Sequence, residues 1–265
     1  MAQGAGVVLL AISLVYLLGR WLKNATVVDV FWGYGMAGLA GGYAWMGSAP
    51  LWRRLWVLAL VTLASLRLGT YLLRRVWREH PHEDARYTAL RQAWGLRRTE
   101  PMMYGLFLLQ GLWMVGLSLP FAVACFNPRT EVGWLPWVGT LFWLLGWSIE
   151  ALADAQLTAF KAGAKNQGKT CQVGLWAYSR HPNYVGQWLL WLGYATFAAG
   201  AAALTPWAWA VWLAPAGMYG LLRYVSGVPL AEAQSARRRA DYLDYQRRVP
   251  VFFPIRLGGY TRAEG

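Results

Sequence analysis

Charge is scarce in this 265-residue chain: Asp, Glu, Lys and Arg make up 14% of it, against roughly 25% in a soluble domain. With 57% hydrophobic residues and eighteen tryptophans, the chain is neither disordered nor an ordinary water-soluble domain. Cysteine is nearly absent. Cys125 and Cys171 stand alone and far apart, with no CxxC and no metal-ligand spacing, which excludes a disulfide framework and a metal centre built on cysteine. Acids are also few, 12 against 25 Lys and Arg, leaving a net charge of +13. A nucleic-acid reader gathers such an excess on one face of a folded domain. Here the basic residues flank long apolar blocks, so nucleic acid is not the partner and the bilayer is.

Seven apolar stretches approach the roughly 20 residues that cross a bilayer as helix: Gly4 to Leu22, Val27 to Met46, Leu55 to Leu73, Met102 to Phe126, Gly133 to Ala153, Tyr184 to Leu204 and Pro206 to Val225. Continuous apolar runs without period-two alternation argue against a barrel. Basic residues near membrane ends stay cytoplasmic. With the N-terminus outside, 21 of the 25 Lys and Arg fall on inner segments, three (Arg53, Arg54 and Arg129) outside, and Arg67 within a span. The expected protein is therefore all-α and polytopic, with about seven transmembrane helices, the N-terminus outside and the C-terminus cytoplasmic. It is one integral membrane domain: a bundle over 1–226, an amphipathic basic helix over 227–250 lying on the membrane surface, and a tail over 251–265, loose after Gly258. The first span lacks a basic segment before it, and Arg20 and Lys23 follow it, so it is not a cleaved signal peptide.

Three apparent motifs carry little. Gly33-Tyr34-Gly35-Met36-Ala37-Gly38 fits GxGxxG, but that fingerprint has meaning only between a strand and a helix. Inside a span, with Gly41 and Gly42, it serves close helix approach. Asn24-Ala25-Thr26 matches a glycosylation sequon in a segment the charge count places in the cytosol. His80 and His82 lack a third ligand.

Ionisable residues inside spans are costly and face a bundle interior or a cavity. Asp29, Arg67, Glu150 and Asp154 qualify, the last two one turn apart on one helix face. Asp29 or Glu150 pairing with Arg67 would make them helix fasteners. Because all but Arg67 lie near the cytoplasmic side, a polar cavity open to the cytosol is the preferred reading. Before the sixth span runs Gly174-Leu175-Trp176-Ala177-Tyr178-Ser179-Arg180-His181-Pro182-Asn183-Tyr184-Val185-Gly186-Gln187. Pro182 suits the first helical position, and the helix start beside Arg180 suits an anion. Asn183, Gln187 and Trp191 recur every four residues, a stripe of amides and an indole able to hold a flat polar ring. A second cluster, Glu79 to Tyr87, mixes three carboxylates with arginines and predicts a salt-bridged, ordered loop. A third comprises Arg237, Arg238, Arg239, Tyr242, Tyr245, Arg247 and Arg248 on the basic helix. All three fall on one side, which favours an anionic, water-soluble ligand meeting an apolar substrate from the lipid.

From the second span onward the chain resembles the membrane-embedded steroid 5-alpha-reductase-like proteins, in particular their bacterial branch. The resemblance is strongest in Gly174 to Gln187, Glu83-Asp84-Ala85-Arg86-Tyr87, Asp29-Val30-Phe31-Trp32-Gly33 and Tyr242 to Pro254. Isoprenylcysteine carboxyl methyltransferases share an Arg-His-Pro-x-Tyr sequence before a late span, so Arg180 to Tyr184 marks the superfamily and not the reaction. The resemblance implies NADPH as cofactor, with Asp154 at an acidic cofactor-binding position, Tyr178, Asn183, Tyr184 and Trp191 in the stretch that holds it, and Tyr245 in a C-terminal segment that closes over it. Arg86, Glu150, Arg180, His181, Gln187, Arg239 and Tyr242 join that cofactor set. Gln187 stands where the family usually has Glu, and the reductases' paired Gln-Glu on an early helix has no counterpart. The resemblance also implies the bacterial inner membrane.

The activity expected from it is NADPH-dependent reduction of a carbon–carbon double bond conjugated to a carbonyl in a steroid, sterol or isoprenoid-like lipid. Hydride attack on the β-carbon drives charge onto the carbonyl oxygen, which needs a proton or a strong donor there. Asp29, as a protonated carboxyl, and Tyr71 or Tyr87 are the candidate donors. Arg67, one turn from Tyr71, would polarise the substrate oxygen. The competing expectation is S-adenosylmethionine-dependent methyl transfer to a lipid-linked acceptor, in which Asp29 and Arg67 become structural.

Overall fold

The computed structural model describes residues 2–131, 133–202 and 206–253, and among them helices and helical turns account for the regular structure, with no strand. The tail beyond 253 and the expected end of the sixth span at Leu204 lie outside the described residues. Ten α-helices follow in order: α1 (Ala2–Trp21), α2 (Val27–Met46), α3 (Leu51–Glu79), α4 (Ala85–Leu117), α5 (Leu119–Phe126), α6 (Leu135–Ala162), α7 (Pro182–Ala202), α8 (Leu213–Gly220), α9 (Val228–Arg238) and α10 (Tyr242–Arg248). Among the described residues three stretches are long and apolar enough to cross a membrane: Leu51–Glu79, Arg97–Phe126 and Leu135–Ala162. Leu63, Leu66, Leu109, Leu112, Leu141 and Leu144 are exposed along them, as a lipid-facing surface requires.

The structure corrects several expected boundaries. α3 starts before Leu55 and runs past Leu73, and α6 continues to Ala162, well beyond Ala153. Glu150 and Asp154 therefore sit inside a helix and not at its end. The stretch expected as a fourth span is α4 and α5 joined at Ser118, where Pro120 enters the first turn of α5. The seventh stretch is no regular α-helix: a 3₁₀ segment (Pro206–Trp212) precedes α8, and a π turn (Leu221–Val225) follows it. The single basic helix expected over Val228 to Arg248 is two helices. Arg239 is extended, and the Asp241 carboxylate takes the Thr170 amide at 2.9 Å and the Thr170 hydroxyl at 2.7 Å, which fixes the break.

The described residues divide into two compact units, Met1–Pro136 with Phe197–Ala214, and Trp137–Thr196 with Pro215–Gly265. In the first, α2 packs on α3 through Gly33, where an added Cβ would stand 2.6 Å from the Gly69 Cα. The Tyr34 ring covers Gly69, and its hydroxyl lies 3.0 Å from the Thr70 hydroxyl. Close approach thus explains Gly33, and Gly35, where a Cβ would stand 2.5 Å from the Met114 Cε, but not Gly38 and Gly41, where Cβ atoms would meet nothing within 4 Å. A core of Ile12, Tyr16, Ala25, Val28, Tyr87, Met103 and Phe107 joins α1, α2 and α4. α4 is broken at Gly95, whose φ of 70° suits glycine. The Thr99 hydroxyl donates to the Gly95 carbonyl at 2.8 Å.

In the second unit α6 and α7 touch backbone to backbone. A Cβ on Gly186 would lie 2.6 Å from the Gly146 carbonyl oxygen, and one on Gly193 would lie 2.7 Å from the Gly139 carbonyl oxygen. Glycines seven apart on each helix produce this seam, and small residues are what allow membrane helices to approach so closely.

Candidate functional site

In the first unit the loop before α4 is pinned to the turn between α1 and α2. The Asn24 side chain accepts from the Thr26 amide at 3.0 Å, the Thr26 hydroxyl accepts from the Asp84 amide at 2.9 Å, and Glu83 accepts from the Ala25 amide at 2.7 Å. The apparent sequon is thus part of a loop clasp. Asp84 begins α4 as its cap, accepting from the Arg86 amide at 2.9 Å and Nε at 3.0 Å, and it also pairs with Arg75. Burial alone would raise the Asp84 carboxyl, but the Arg86 donors and the Arg75 charge outweigh it and bring it down to about 2. Glu83 pairs with Arg91 at 3.0 Å. The ordered, salt-bridged loop expected from the composition is what forms.

This clasp aims two side chains at Asp29. Arg86 Nη2 donates to Oδ2 at 2.5 Å, and the Tyr87 hydroxyl donates to Oδ1 at 2.7 Å. Asp29 therefore takes its ion pair from Arg86 and not from Arg67. Burial, then the neighbouring Asp29 charge, pushes the Tyr87 hydroxyl well above its ordinary value. Burial would lower Arg86, but Asp29 and Asp84 outweigh it and raise it, so its guanidinium is a permanent charge. Arg67 and Tyr71 are half-buried one turn apart on α3.

In the second unit the stripe on α7 meets the carboxylates of α6. Asn183 Nδ2 donates to Asp154 Oδ1 at 3.2 Å. With its amide nitrogen turned towards α6, Gln187 donates to the Glu150 oxygens at 3.0 and 2.9 Å and accepts from the Trp191 indole N–H at 3.2 Å. The two ladders, Asp154–Asn183 and Glu150–Gln187–Trp191, lie beside the glycine seam. Glu150 is 4% exposed and Asp154 6%, so both carboxylates are buried.

Arg180 does not wait open for an anion. Its Nε donates to Glu232 at 2.7 Å, and its Nη1 donates to the carbonyls of Gln246 at 2.7 Å and Val249 at 2.8 Å. Glu232 further accepts from Gln246 Nε2 at 2.5 Å and lies 3.1 Å from His181 Nε2. Burial would raise the Glu232 carboxyl; hydrogen bonds from His181 and Gln246 and the Arg180 charge bring it down to about 2. Burial outweighs Glu232 at His181 and lowers its ring below the ordinary histidine value. The His181 ring stacks on Tyr184, centroids 5.0 Å apart. The Tyr245 hydroxyl donates to the Trp176 carbonyl at 2.6 Å, with Tyr242 buried against it. Arg239 reaches Ser235 at 3.4 Å, and Tyr178 is exposed. An open cleft of about 500 Å³ is lined by Arg180, Leu243, Gln246 and Arg247.

Sequence reasoning passed over Glu232, Gln246 and the Gly146–Gly186 contact. The signal for Glu232 was its place as the first acid of an otherwise basic segment, and for the glycines their spacing of seven.

No solved structure matches the chain. It is 27% identical to an uncharacterized protein of Schizosaccharomyces pombe over 90% of this chain and 75% of that protein. A family described as "protein of unknown function (DUF1295)", which includes steroid 5-alpha-reductase-like proteins, matches residues 15–249. With nearly the whole length matched, the chain belongs to this family.

Proposed function

We propose that the protein is an NADPH-dependent reductase of a carbon–carbon double bond conjugated to a carbonyl, acting on a steroid, sterol or isoprenoid-like lipid. The observation that carries this reading is the pair of ladders on α6 and α7. Two buried carboxylates in apolar helices are expensive, and a helix pair already closed by glycines has no need of them for adhesion. Their amide and indole partners offer the donors and acceptors that a carboxamide or an adenine edge requires. Asp154, Asn183, Gln187, Trp191 and Tyr184 would hold the rings of the cofactor, with Glu150 setting the Gln187 amide. Arg239 offers the second unit's cation for its phosphates, and His181, Tyr178, Tyr242 and Tyr245 shape the segment around Arg180.

NADPH, when bound, supplies a hydride to the β-carbon of the acceptor. Tyr87 holds the balancing proton on its phenol oxygen. Asp29 fixes that hydroxyl at 2.7 Å, and Arg86 fixes Asp29. The Tyr87 hydroxyl would turn its one proton from Asp29 to the oxygen on which charge gathers, with Arg67 and Tyr71 as further donors. Asp29 accepts at both oxygens, so the donor role passes from Asp29 to Tyr87. The topology that goes with this reading is seven spans, the N-terminus outside and the cofactor entering from the cytosol of a bacterial inner membrane, argued from the 21 to 3 division of basic residues.

A second reading, S-adenosylmethionine-dependent methyl transfer, is favoured by one observation: Glu232 neutralises Arg180. A cofactor without phosphates needs no free guanidinium there.

Thermal unfolding of the detergent-purified protein with NADPH, NADH, S-adenosylmethionine or no addition separates the two. A ligand at 100 times its dissociation constant adds about 2.7 kcal/mol. Stabilisation by NADPH, lost in Asn183→Ala, supports the reductase; stabilisation by S-adenosylmethionine alone moves the protein to the methyltransferases.

A further inference from the structure

α10 is held at a definite depth. The Tyr245 hydroxyl donates to the Trp176 carbonyl, and the Trp176 indole donates at 3.0 Å to the Ala153 carbonyl of the membrane-length helix α6. Just after α10, the Pro250 and Val251 carbonyls accept from the Arg180 and His181 amides at 2.9 and 3.2 Å, at the threshold of α7. Glu232 carries α9 into the same network through Arg180 and Gln246. Ala153 lies nine residues before the end of α6, about 13 Å along its axis, so α9 and α10 are fixed at the rim of the helix bundle of their unit.

The outward surface of these helices is unlike a water-facing one. Leu230 and Leu243 are exposed, the latter 60%, as are Tyr224 and Val225 just before α9 and Phe253 after α10. On α9 Leu230, Ala233 and Arg237 share one exposed stripe, and on α10 Leu243 and Arg247 share another. Positive charge exceeds negative on this surface. Arg247 and Arg248 share the single carboxylate of Asp244, at 3.0 and 3.2 Å, and neither Arg237 nor Arg238 has an ion-pair partner among the described residues. The other nearby acids are committed inward, Glu232 to Arg180 and Asp241 to Thr170.

We propose that α9 and α10 form an interfacial docking surface for anionic phospholipid headgroups, with Leu230 and Leu243 immersed among the upper acyl chains and Arg237, Arg238, Arg247 and Arg248 on the headgroup phosphates. Apolar side chains and arginines on one stripe suit the layer where hydrocarbon gives way to headgroup, and the unpaired arginines make the surface selective for net negative lipid. This assignment is independent of the reaction the protein catalyses.

The test uses the full chain in nanodiscs of phosphatidylcholine, with or without phosphatidylglycerol. A nitroxide at Leu243→Cys reports depth, Cys125 and Cys171 being buried, and mass spectrometry of the detergent-extracted protein reports retained lipid. The expected result is a lipid-immersed nitroxide and at least about threefold enrichment of phosphatidylglycerol over the bulk. The enrichment should fall to the bulk ratio in the Arg237→Gln, Arg238→Gln, Arg247→Gln, Arg248→Gln variant. A bulk ratio in the wild type, a water-exposed nitroxide, or equal enrichment in the variant overturns the proposal. Should the fourfold variant fail to fold, Arg237→Gln with Arg238→Gln, which breaks no ion pair, gives the same reading: enrichment must drop at least by half.

Discussion

Arg86 Nη2 stands 2.5 Å from Asp29 Oδ2 although 57 residues separate them, and this ion pair turns two short motifs into one site. The same arginine binds Asp84. It is held between two carboxylates and cannot swing to a third partner without breaking both contacts, which makes it a strut for Asp29.

If Tyr87 carries the proton, Tyr87→Phe lowers turnover of an enone lipid by roughly 10²- to 10⁴-fold while leaving the thermal shift with NADPH unchanged. Asp29→Ala abolishes turnover and also spares cofactor binding, because Asp29 lies in the other compact unit from the α6 and α7 ladders. Wild-type rates in Asp29→Ala would remove the role assigned to it.

The glycine seam predicts opposite outcomes for two similar substitutions. Gly186→Val drives a side chain into the Gly146 carbonyl and the Glu150 backbone, and should cost at least about 3 kcal/mol or prevent folding. Gly38→Ala meets nothing within 4 Å and should be neutral or stabilising by up to about 1 kcal/mol. Thermal denaturation in detergent measures both; equal effects would mean that α6 and α7 are not packed as described.

Arg180→Ala should destabilise by about 3 to 5 kcal/mol, since it leaves Glu232 buried with its charge unanswered and the Gln246 and Val249 carbonyls without their donor. Arg180→Lys should recover little, because one ammonium cannot span Glu232 and two carbonyls in the guanidinium geometry. Full recovery with lysine would show that charge alone matters there.

Acid should loosen the C-terminal segment. The Glu232 carboxyl is depressed to about 2 from an ordinary value near 4.5, so its contribution is complete above about pH 4.5 and is lost as pH falls towards 2. His181, also depressed, acts in the same direction, since the folded form resists its protonation. Melting temperature followed from pH 6 to pH 3 should fall, with a shallower slope in Glu232→Gln. An identical slope in that variant would place the acid sensitivity elsewhere, with Asp84, also near 2, the next candidate.

Much of the helical layout was legible because apolar run length reads membrane helices directly. Val27 to Met46 matches α2 at both ends. Ends were misplaced where polar residues continue a helix past its apolar part, as from Ala153 to Ala162 on α6. The split between α9 and α10 escaped because its cause, Thr170 holding Asp241, is 71 residues away. Of the site, the α7 stripe was readable from a spacing of four, and the disposition of Arg180 was not.

The sequence by itself determined that the chain is helical, that it carries helices apolar enough for lipid, and which polar residues share a helix face. Periodicity and composition are local properties, and they suffice for these. Only the tertiary structure decided which carboxylate meets which donor: Asp29 with Arg86 and Tyr87, Asp154 with Asn183, Glu150 with Gln187, and Glu232 with Arg180. Basic residues outnumber acids in this chain, 25 to 12, so the sequence does not say which of them pair. Burial and close helix approach select the pairs, because a carboxylate removed from water must take the donor that packing brings within reach.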